Sequence, residues 1–194
     1  EDHLGGYGIR SERDLAAVKL GIARALGADG TLFLNGEDAT LCTAAAAVRV
    51  RMERFASTAP PASVPRVDAM PITLGGAATY NVMNAIGAAS VASALGVPDT
   101  LITAVLRKFG SANEDNPGRL ERFTVHGVRV FIDYAHNPHG LEALLSACRV
   151  DGGGRLGLLL GQAGDREEVA VRALARAAWA ARPDRIVLKD LDGY

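Results

Sequence analysis

From residue 128 onward, short apolar runs alternate with runs of helical periodicity, and this rhythm restricts the fold more than any other feature. Residues 128–132, VRVFI, form an apolar, β-branched run that reads as a buried strand. The polar segment Asp133-Tyr134-Ala135-His136-Asn137-Pro138 follows, and beyond it Leu141, Leu144 and Leu145 recur at helical spacing. Asn137 suits a helix N-cap and Pro138 the first helical position. The pattern then repeats: residues 156–160 read as a buried strand, 161–166 as a polar loop, 167–181 as a helix and 185–188 as a further strand. Strands alternating with helices in this way imply a parallel sheet with right-handed crossovers, so the fold class is α/β.

Open α/β sheets bind ligands beyond the carboxyl ends of their strands, near helix N-termini. Asp133 and His136 stand at such a place. A carboxylate there can accept from ribose hydroxyls, and a histidine can donate to a phosphate or carboxylate. On local grounds Asp133 serves equally well as a cap, and His136 as a solvated loop residue. In the second loop Gly161 and Gly164 allow close backbone approach, and Asp165 and Arg166 sit at a helix N-terminus. Asp165 also reads as a plain cap.

Upstream, residues 1–10 form a Gly-punctuated loop. Ser11 and Asp14 have the spacing of a capping box, opening a helix to about Leu26. Residues 31–34 read as a short strand, 35–38 as a turn, and the Ala-rich 39–56 as helix-prone, ending in Arg49, Arg51 and Arg54. Residues 57–71 hold four of the eight prolines and read as an exposed, irregular connection. Residues 72–74 suggest a strand, 81–95 a small-residue-rich helix stopped by Gly96-Val97-Pro98, and 100–109 another helix. Residues 110–118, GSANEDNPG, are the best linker. Residues 119–125 and 128–132, turning at His126-Gly127, carry a hairpin signal.

Composition excludes several classes. A net charge of -1 gives no electrostatic case for nucleic acid or an anionic membrane. Cys42 and Cys148 form no CxxC pair, so neither a disulfide framework nor a zinc site is supported and a reducing compartment is the simpler assumption. No apolar run has membrane-spanning length and no signal peptide is evident, which makes the cytoplasm the default. The chain opens at Glu1 without Met and closes just after a strand-like run, as an internal piece of a longer protein would.

Three further constellations carry chemistry. Arg119 can offer its planar fork to a phosphate, or pair with Glu121 on the surface. Asn81 and Asn84 project to nearly one helix face, where a carboxamide matches the donor–acceptor edge of adenine; the alternative is Asn81 as a cap with Asn84 half exposed. Asp2-His3 precedes Lys19, which by itself reads as a solvated helix residue, and a lone histidine is a poor sign of Mg²⁺.

Taken in order, Asp2-His3-Leu4, Lys19, Asn35-Gly36-Glu37-Asp38, Asn81-Val-Met-Asn84-Ala, Gly118-Arg119-Leu120-Glu121, Asp133-Tyr-Ala-His136-Asn-Pro138 and Gly164-Asp165-Arg166 resemble the motifs of the Mur ligase family of ATP-dependent amide-bond ligases. The phrases ITLGGAATYNVMNAIGAASVASALGVP and NEDNPGRLERF look most like its cyanophycin synthetase branch. The resemblance implies the end of a Mur-type central ATPase domain over residues 1–114 and a Rossmann-like C-terminal domain over 115–194, both incomplete, with a hinge at 110–118. It implies ATP and Mg²⁺ as cofactors, with an amino acid and a carboxylate acceptor (a cyanophycin primer or a peptide precursor) as partners. It also leaves room for a homo-oligomer.

The residue roles it implies are these. His3 helps hold Mg²⁺, and Lys19 matches a lysine that many members carbamylate. Asn84 contacts adenine, Arg119 and Asp133 reach the nucleotide with Asp133 at the ribose, and His136 lies near the phosphates. Asp165 and Arg166 line the amino-acid side of the cleft. Two departures qualify this. Asn35-Gly36-Glu37-Asp38 replaces a more uniform Asn-Ala-Asp-Asp, and neither GxxGK[ST] nor the family's metal-binding glutamate occurs in these 194 residues. The isolated chain is therefore expected to be inactive, binding ATP weakly or not at all. The competing expectations are a peptidoglycan-precursor ligase and a non-catalytic module that retains nucleotide binding.

Overall fold

The computed structural model describes residues 8–150, 154–161 and 168–189. It divides into two compact units, Glu1–Ala69 with Asn81–Lys108, and Met70–Tyr80 with Phe109–Tyr194.

The first unit begins with helix α1 (Glu12–Lys19), which continues as a 3₁₀ turn over Leu20–Ala25. Its capping box forms as the spacing predicts. The Asp14 N–H donates to Ser11 Oγ at 3.2 Å, and the Ser11 N–H donates to Asp14 Oδ2 at 3.0 Å. Strand β1 (Thr31–Asn35), helix α2 (Ala39–Ala45) and strand β2 (Arg51–Phe55) make a β–α–β unit, with Thr31 opposite Arg51 and Asn35 opposite Phe55 in a parallel ladder. Asp38 caps α2, accepting from the Leu41 N–H at 2.8 Å. Leu20, Ala23, Leu32, Leu34 and Ala45 form the core beneath it.

Strand β2 corrects the helix expected over 39–56. Alanine content favours a helix, but Val48, Val50 and Met52 recur at a spacing of two and pack on the same core. A helix carried through these residues would scatter them around its circumference. The connection after β2 is also less exposed than its prolines suggest. Ser63 is buried, and Thr103 Oγ1 donates to its carbonyl at 2.7 Å.

Helix α3 (Thr79–Ala94) and helix α4 (Asp99–Leu106) follow. A Cβ at Gly87 would stand 2.9 Å from the Phe55 ring, so this helix needs its glycine for close approach. α3 ends in a Schellman motif, with Gly96 at φ 80° and the Val97 N–H donating to the Ala92 carbonyl at 3.0 Å.

In the second unit, the strand expected at residues 72–74 is instead a 3₁₀ segment, Pro71–Gly76. Pro71 lacks the N–H that a ladder needs, and Leu74 takes a left-handed φ of 52°. The buried Thr73 hydroxyl donates to the Met70 carbonyl at 2.8 Å, fixing the turn. Residues 110–118 form an ordered arm. Asp115 Oδ2 accepts from the Gly110 and Ala112 N–H groups at 3.0 and 3.1 Å. Asn113 clasps both backbone groups of Arg122, accepting its N–H at 2.9 Å and donating to its carbonyl at 3.1 Å.

Strands β3 (Glu121–Val125) and β4 (Val128–Ile132) form an antiparallel hairpin. His126 and Gly127, at φ 49° and 78°, make the two-residue turn, whose paired positive φ angles match the twist of the flanking strands. Helix α5 (Pro138–Val150) starts where the sequence places it, with the Gly140 N–H donating to Asn137 Oδ1 at 2.8 Å. Strand β5 (Gly157–Gly161), helix α6 (Glu168–Ala180) and strand β6 (Arg185–Lys189) follow, and β5 pairs with β6 in parallel, as the rhythm of the sequence requires. Leu141 and Leu145 of α5 pack on Leu174, Ala177 and Ala178 of α6, with Leu158 and Leu160 below. Residues 156–160 were expected to be buried; Leu159 points away and is 65% exposed. β4 is likewise only half-buried, and among the described residues its ladder is with β3, not with the parallel pair.

Candidate functional site

Where β4 ends, the chain turns and is laced to the segment before β3. Asp133 Oδ2 accepts from the Leu120 N–H at 2.8 Å, and the Tyr134 N–H donates to the Gly118 carbonyl at 2.9 Å. Leu120 is buried at a left-handed φ of 53°. The carboxylate is thus held by main chain, and among the described residues its second oxygen carries no hydrogen bond. Glu121 turns its carboxylate onto the Gly118 N–H, so it is not the partner of Arg119. Arg119 instead lies over the Tyr134 ring, 5.3 Å from its centroid, and the His136 ring stands 5.1 Å from the same ring on a tilt. Asp133, Arg119 and His136 therefore share one side-chain cluster, organised by Tyr134.

His136 Nδ1 lies 2.8 Å from the Tyr134 carbonyl oxygen. A carbonyl only accepts, so this contact assigns the proton to Nδ1. Nε2 of the neutral ring is then an acceptor. It donates to a phosphate only in the imidazolium form, which qualifies the role read from the sequence. The first turn of α5 is also partly satisfied by Asn137, which an incoming anion would have to displace.

Tyr80 is the member of this site that the sequence does not reveal. Its hydroxyl is buried and, among the described residues, has no hydrogen-bond partner. Burial, and then the charges of Asp133 and Cys148, push the phenol up to about 12. In sequence it is one aromatic at the start of an apolar helix, indistinguishable from core. The phenol favours its neutral form in the folded state, so its contribution to stability is intact below the ordinary value of 10.0 and is lost as pH rises toward 12. Tyr80→Phe is expected to leave stability at pH 7 unchanged or raised, and to flatten the alkaline limb of a denaturation-midpoint-against-pH curve. An unchanged alkaline limb would remove this assignment.

The other sequence-derived residues divide. Asn81 is buried inside α3 instead of capping it, because the helix begins at Thr79; Asn84 is exposed and donates to Asn81 Oδ1 at 3.3 Å. Lys19 is the exposed last residue of α1. His3, Asp165 and Arg166 lie outside the described residues. At the carboxyl end of β1, Glu37 accepts from both the N–H and the hydroxyl of Ser57 at 2.6 Å, which holds its carboxyl below the usual range. Among the described residues no three His, Cys, Asp or Glu side chains gather as a metal would require. The cluster offers a carboxylate fixed through one oxygen and a guanidinium stacked on the Tyr134 ring, groups able to accept from a hydroxyl and to pair with a phosphate. No helix among the described residues is long and apolar enough to cross a membrane.

Comparison with known proteins agrees with the resemblance read from the sequence. Residues 118–192 match the family described as Mur ligase, glutamate ligase domain. Across 99% of its length the chain is 28% identical to cyanophycin synthetase of Geminocystis herdmanii, of which it spans about a quarter (25%). Over 51% of its length it is 37% identical to UDP-N-acetylmuramoyl-L-alanyl-D-glutamate--2,6-diaminopimelate ligase of Gloeobacter violaceus, covering 20% of that protein. Among solved structures it resembles Mycobacterium tuberculosis folylpolyglutamate synthase complexed with ADP and AMPPCP. The TM-score is 0.58 at 21% identity, over 98% of this chain and 51% of that one. The shared fold supports the α/β class.

Proposed function

We propose that the intact protein is an ATP-dependent ligase of Mur type that joins a carboxylate to an amino acid, most closely in the manner of a cyanophycin synthetase. In the reaction, the carboxylate takes the γ-phosphoryl group of ATP and ADP leaves. The amine then attacks the acyl phosphate, an amide bond forms and inorganic phosphate departs. The observation that carries this reading is Asp133, held by the Leu120 N–H at the end of β4 beside the Arg119–Tyr134–His136 stack. The similarity to cyanophycin synthetases over nearly the whole chain supports it.

The roles join the chemistry of these side chains to what the family resemblance implies. Asp133 takes the ribose hydroxyls with its spare oxygen. Arg119 presents its fork to phosphate from the face of Tyr134, and His136 supplies a second donor when protonated. The exposed Asn84 carboxamide reads the adenine edge. Lys19, carbamylated, and His3 would serve the metal, and Asp165 and Arg166 the incoming amino acid. Addition of Asp or Arg to a cyanophycin primer is the specific activity we assign. A peptidoglycan-precursor ligase is the second reading, favoured by the 37% identity to the diaminopimelate ligase over about half the chain.

Phosphate release by the intact protein separates these. Single amino acids are supplied with a cyanophycin primer or with UDP-muramyl acceptors. Release that needs Asp or Arg plus primer, and falls in Asp133→Ala, supports the first reading. Release only with a muramyl acceptor replaces it with the second. No release with either leaves a non-catalytic nucleotide-binding module. The 194 residues alone contain no GxxGK[ST] segment to cradle phosphates, so by themselves they are expected to release no phosphate above buffer. Turnover by this chain alone would contradict that expectation.

A further inference from the structure

A groove of about 410 Å³ opens in the first unit, within the usual range for ligand sites of about 300–1,000 Å³. One wall is the helical segment from Ala17 through Gly21 to Arg24; the other is the chain from α2 into β2, with Ala47, Val48 and Arg49. Its floor is the core beneath, where Leu20 is buried and Val48 packs on the same cluster. Ala17 and Gly21 are four residues apart, and Gly21 and Arg24 three, so they share one side of a helix that passes from α to 3₁₀ geometry. The groove therefore runs along that helix for about 11–13 Å, with Arg24 at one end. Arg24 is in the last turn before the connection to β1, and Arg49 lies two residues before β2. The two strands start in register, Thr31 opposite Arg51, which gathers both arginines at that same end.

Gly21 is the residue in this groove that the fold itself does not require. Its φ is not left-handed, and a Cβ there would meet nothing within 4 Å. Glycine is disfavoured against alanine in a helical segment, so neither backbone nor packing accounts for it. What the missing side chain leaves is room, because any larger residue would stand in the groove. The charge is unmatched as well. Among the described residues Arg24 and Arg49 take part in no hydrogen bond or ion pair, and no Asp or Glu lines the groove, in a chain whose net charge is -1.

We propose that this groove binds an amphiphilic carboxylate, its alkyl chain lying along Ala17, Gly21, Ala47 and Val48 and its head held between Arg24 and Arg49. The shape and chemistry of the lining decide the class. Apart from the two arginines the lining is aliphatic, so the body of the ligand gains by leaving water. No aromatic ring lines it, which gives a planar ring system nothing to stack on. The groove is long and its charge stands at one end, an arrangement that matches a linear chain with a terminal anion. A carboxylate offers paired oxygens to the guanidinium forks. The site is independent of the nucleotide cluster and of the ligase reading.

Calorimetric titration of the intact protein with decanoate, below the concentration at which it forms micelles, tests this. One molecule per chain is expected to bind, and each methylene removed from the ligand should weaken binding about two- to fourfold. Arg49→Gln should weaken it about tenfold, as loss of a charge-assisted hydrogen bond implies. Gly21→Leu should abolish it and leave the thermal midpoint unchanged or raised, because the new side chain fills the groove and favours the helix. Arg66→Gln, an exposed arginine of the same unit that pairs with Asp68, should change nothing. Decyltrimethylammonium, with the same chain and the opposite charge, should not bind, and this comparison on the unaltered protein decides the matter if the variants do not fold. Absence of saturable decanoate binding, equal binding of the cation, or binding indifferent to Gly21→Leu or Arg49→Gln in folded variants would each overturn the proposal. Displacement by inorganic phosphate at decanoate's own affinity would also overturn it, by making the groove a plain anion site.

Discussion

Gly110→Ala is expected to destabilise the unit built from Met70–Tyr80 and Phe109–Tyr194 by about 2–5 kcal/mol, the sum of a left-handed backbone cost and an overpacking cost. Gly110 has φ 84°, where an L side chain is strained. A Cβ there would stand 2.7 Å from Ile72 Cβ, 2.9 Å from its Cα and 3.0 Å from its nitrogen. Two of those atoms are backbone, so no rotamer change relieves the contact. Gly110 cannot retreat either, because its N–H donates to Asp115 and its carbonyl accepts from Arg122. At roughly 4–8 °C per kcal/mol for a domain of this size, the midpoint should fall by about ten degrees or more. Gly118→Ala is the matched control. Its φ is 72°, yet a Cβ would meet nothing within 4 Å. It should cost only the conformational part, about 1–2 kcal/mol. Equal midpoints for the two variants in thermal unfolding would mean that contact with Ile72 contributes nothing.

Asp133→Ala is expected to weaken nucleotide binding by the intact protein about tenfold to a hundredfold, the loss of one or two hydrogen bonds to a charged acceptor. It also leaves the N–H of the buried Leu120 without its acceptor, at about 1–3 kcal/mol of stability. Asp133→Asn separates the two effects. Its side-chain oxygen can still accept from Leu120, so stability should stay near that of the unaltered protein, while the missing charge weakens nucleotide binding. Calorimetric titration with ADP and a denaturant melt on both variants read this out. If Asn destabilises as much as Ala, the carboxylate serves the fold through its charge and not through the Leu120 bond. If neither variant alters ADP affinity, Asp133 is not at the nucleotide.

What could be read in the sequence was local. The Ser11–Asp14 box, the Asn137 cap with Pro138 behind it, and the His126-Gly127 turn each depend on residues within a few positions of one another. The structure forms all three. Period-two spacing over Val48, Val50 and Met52 was also present, but the alanines before it masked it. The rest depends on partners far apart in the chain. Nothing near Asn113 signals that its carboxamide clasps Arg122, and nothing near Ile72 signals Gly110. In the site, Asp133, Arg119 and His136 stood out by residue type and position. Tyr134, which brings Arg119 and His136 together, and Tyr80, with its stranded hydroxyl, looked like ordinary aromatics.

The membership of Met70–Tyr80 in the second unit has a consequence for the order of synthesis. Leu74, Ala77, Ala78 and Tyr80 share a hydrophobic cluster with Leu120, Leu144 and Ala147. On the ribosome they emerge first, and the remainder of α3 and all of α4 are made before their partners exist. This unit therefore cannot complete itself as a contiguous tail added to a finished N-terminal half. Its earliest segment must stay uncommitted, and open to chaperones or to wrong partners, until α5 leaves the exit tunnel.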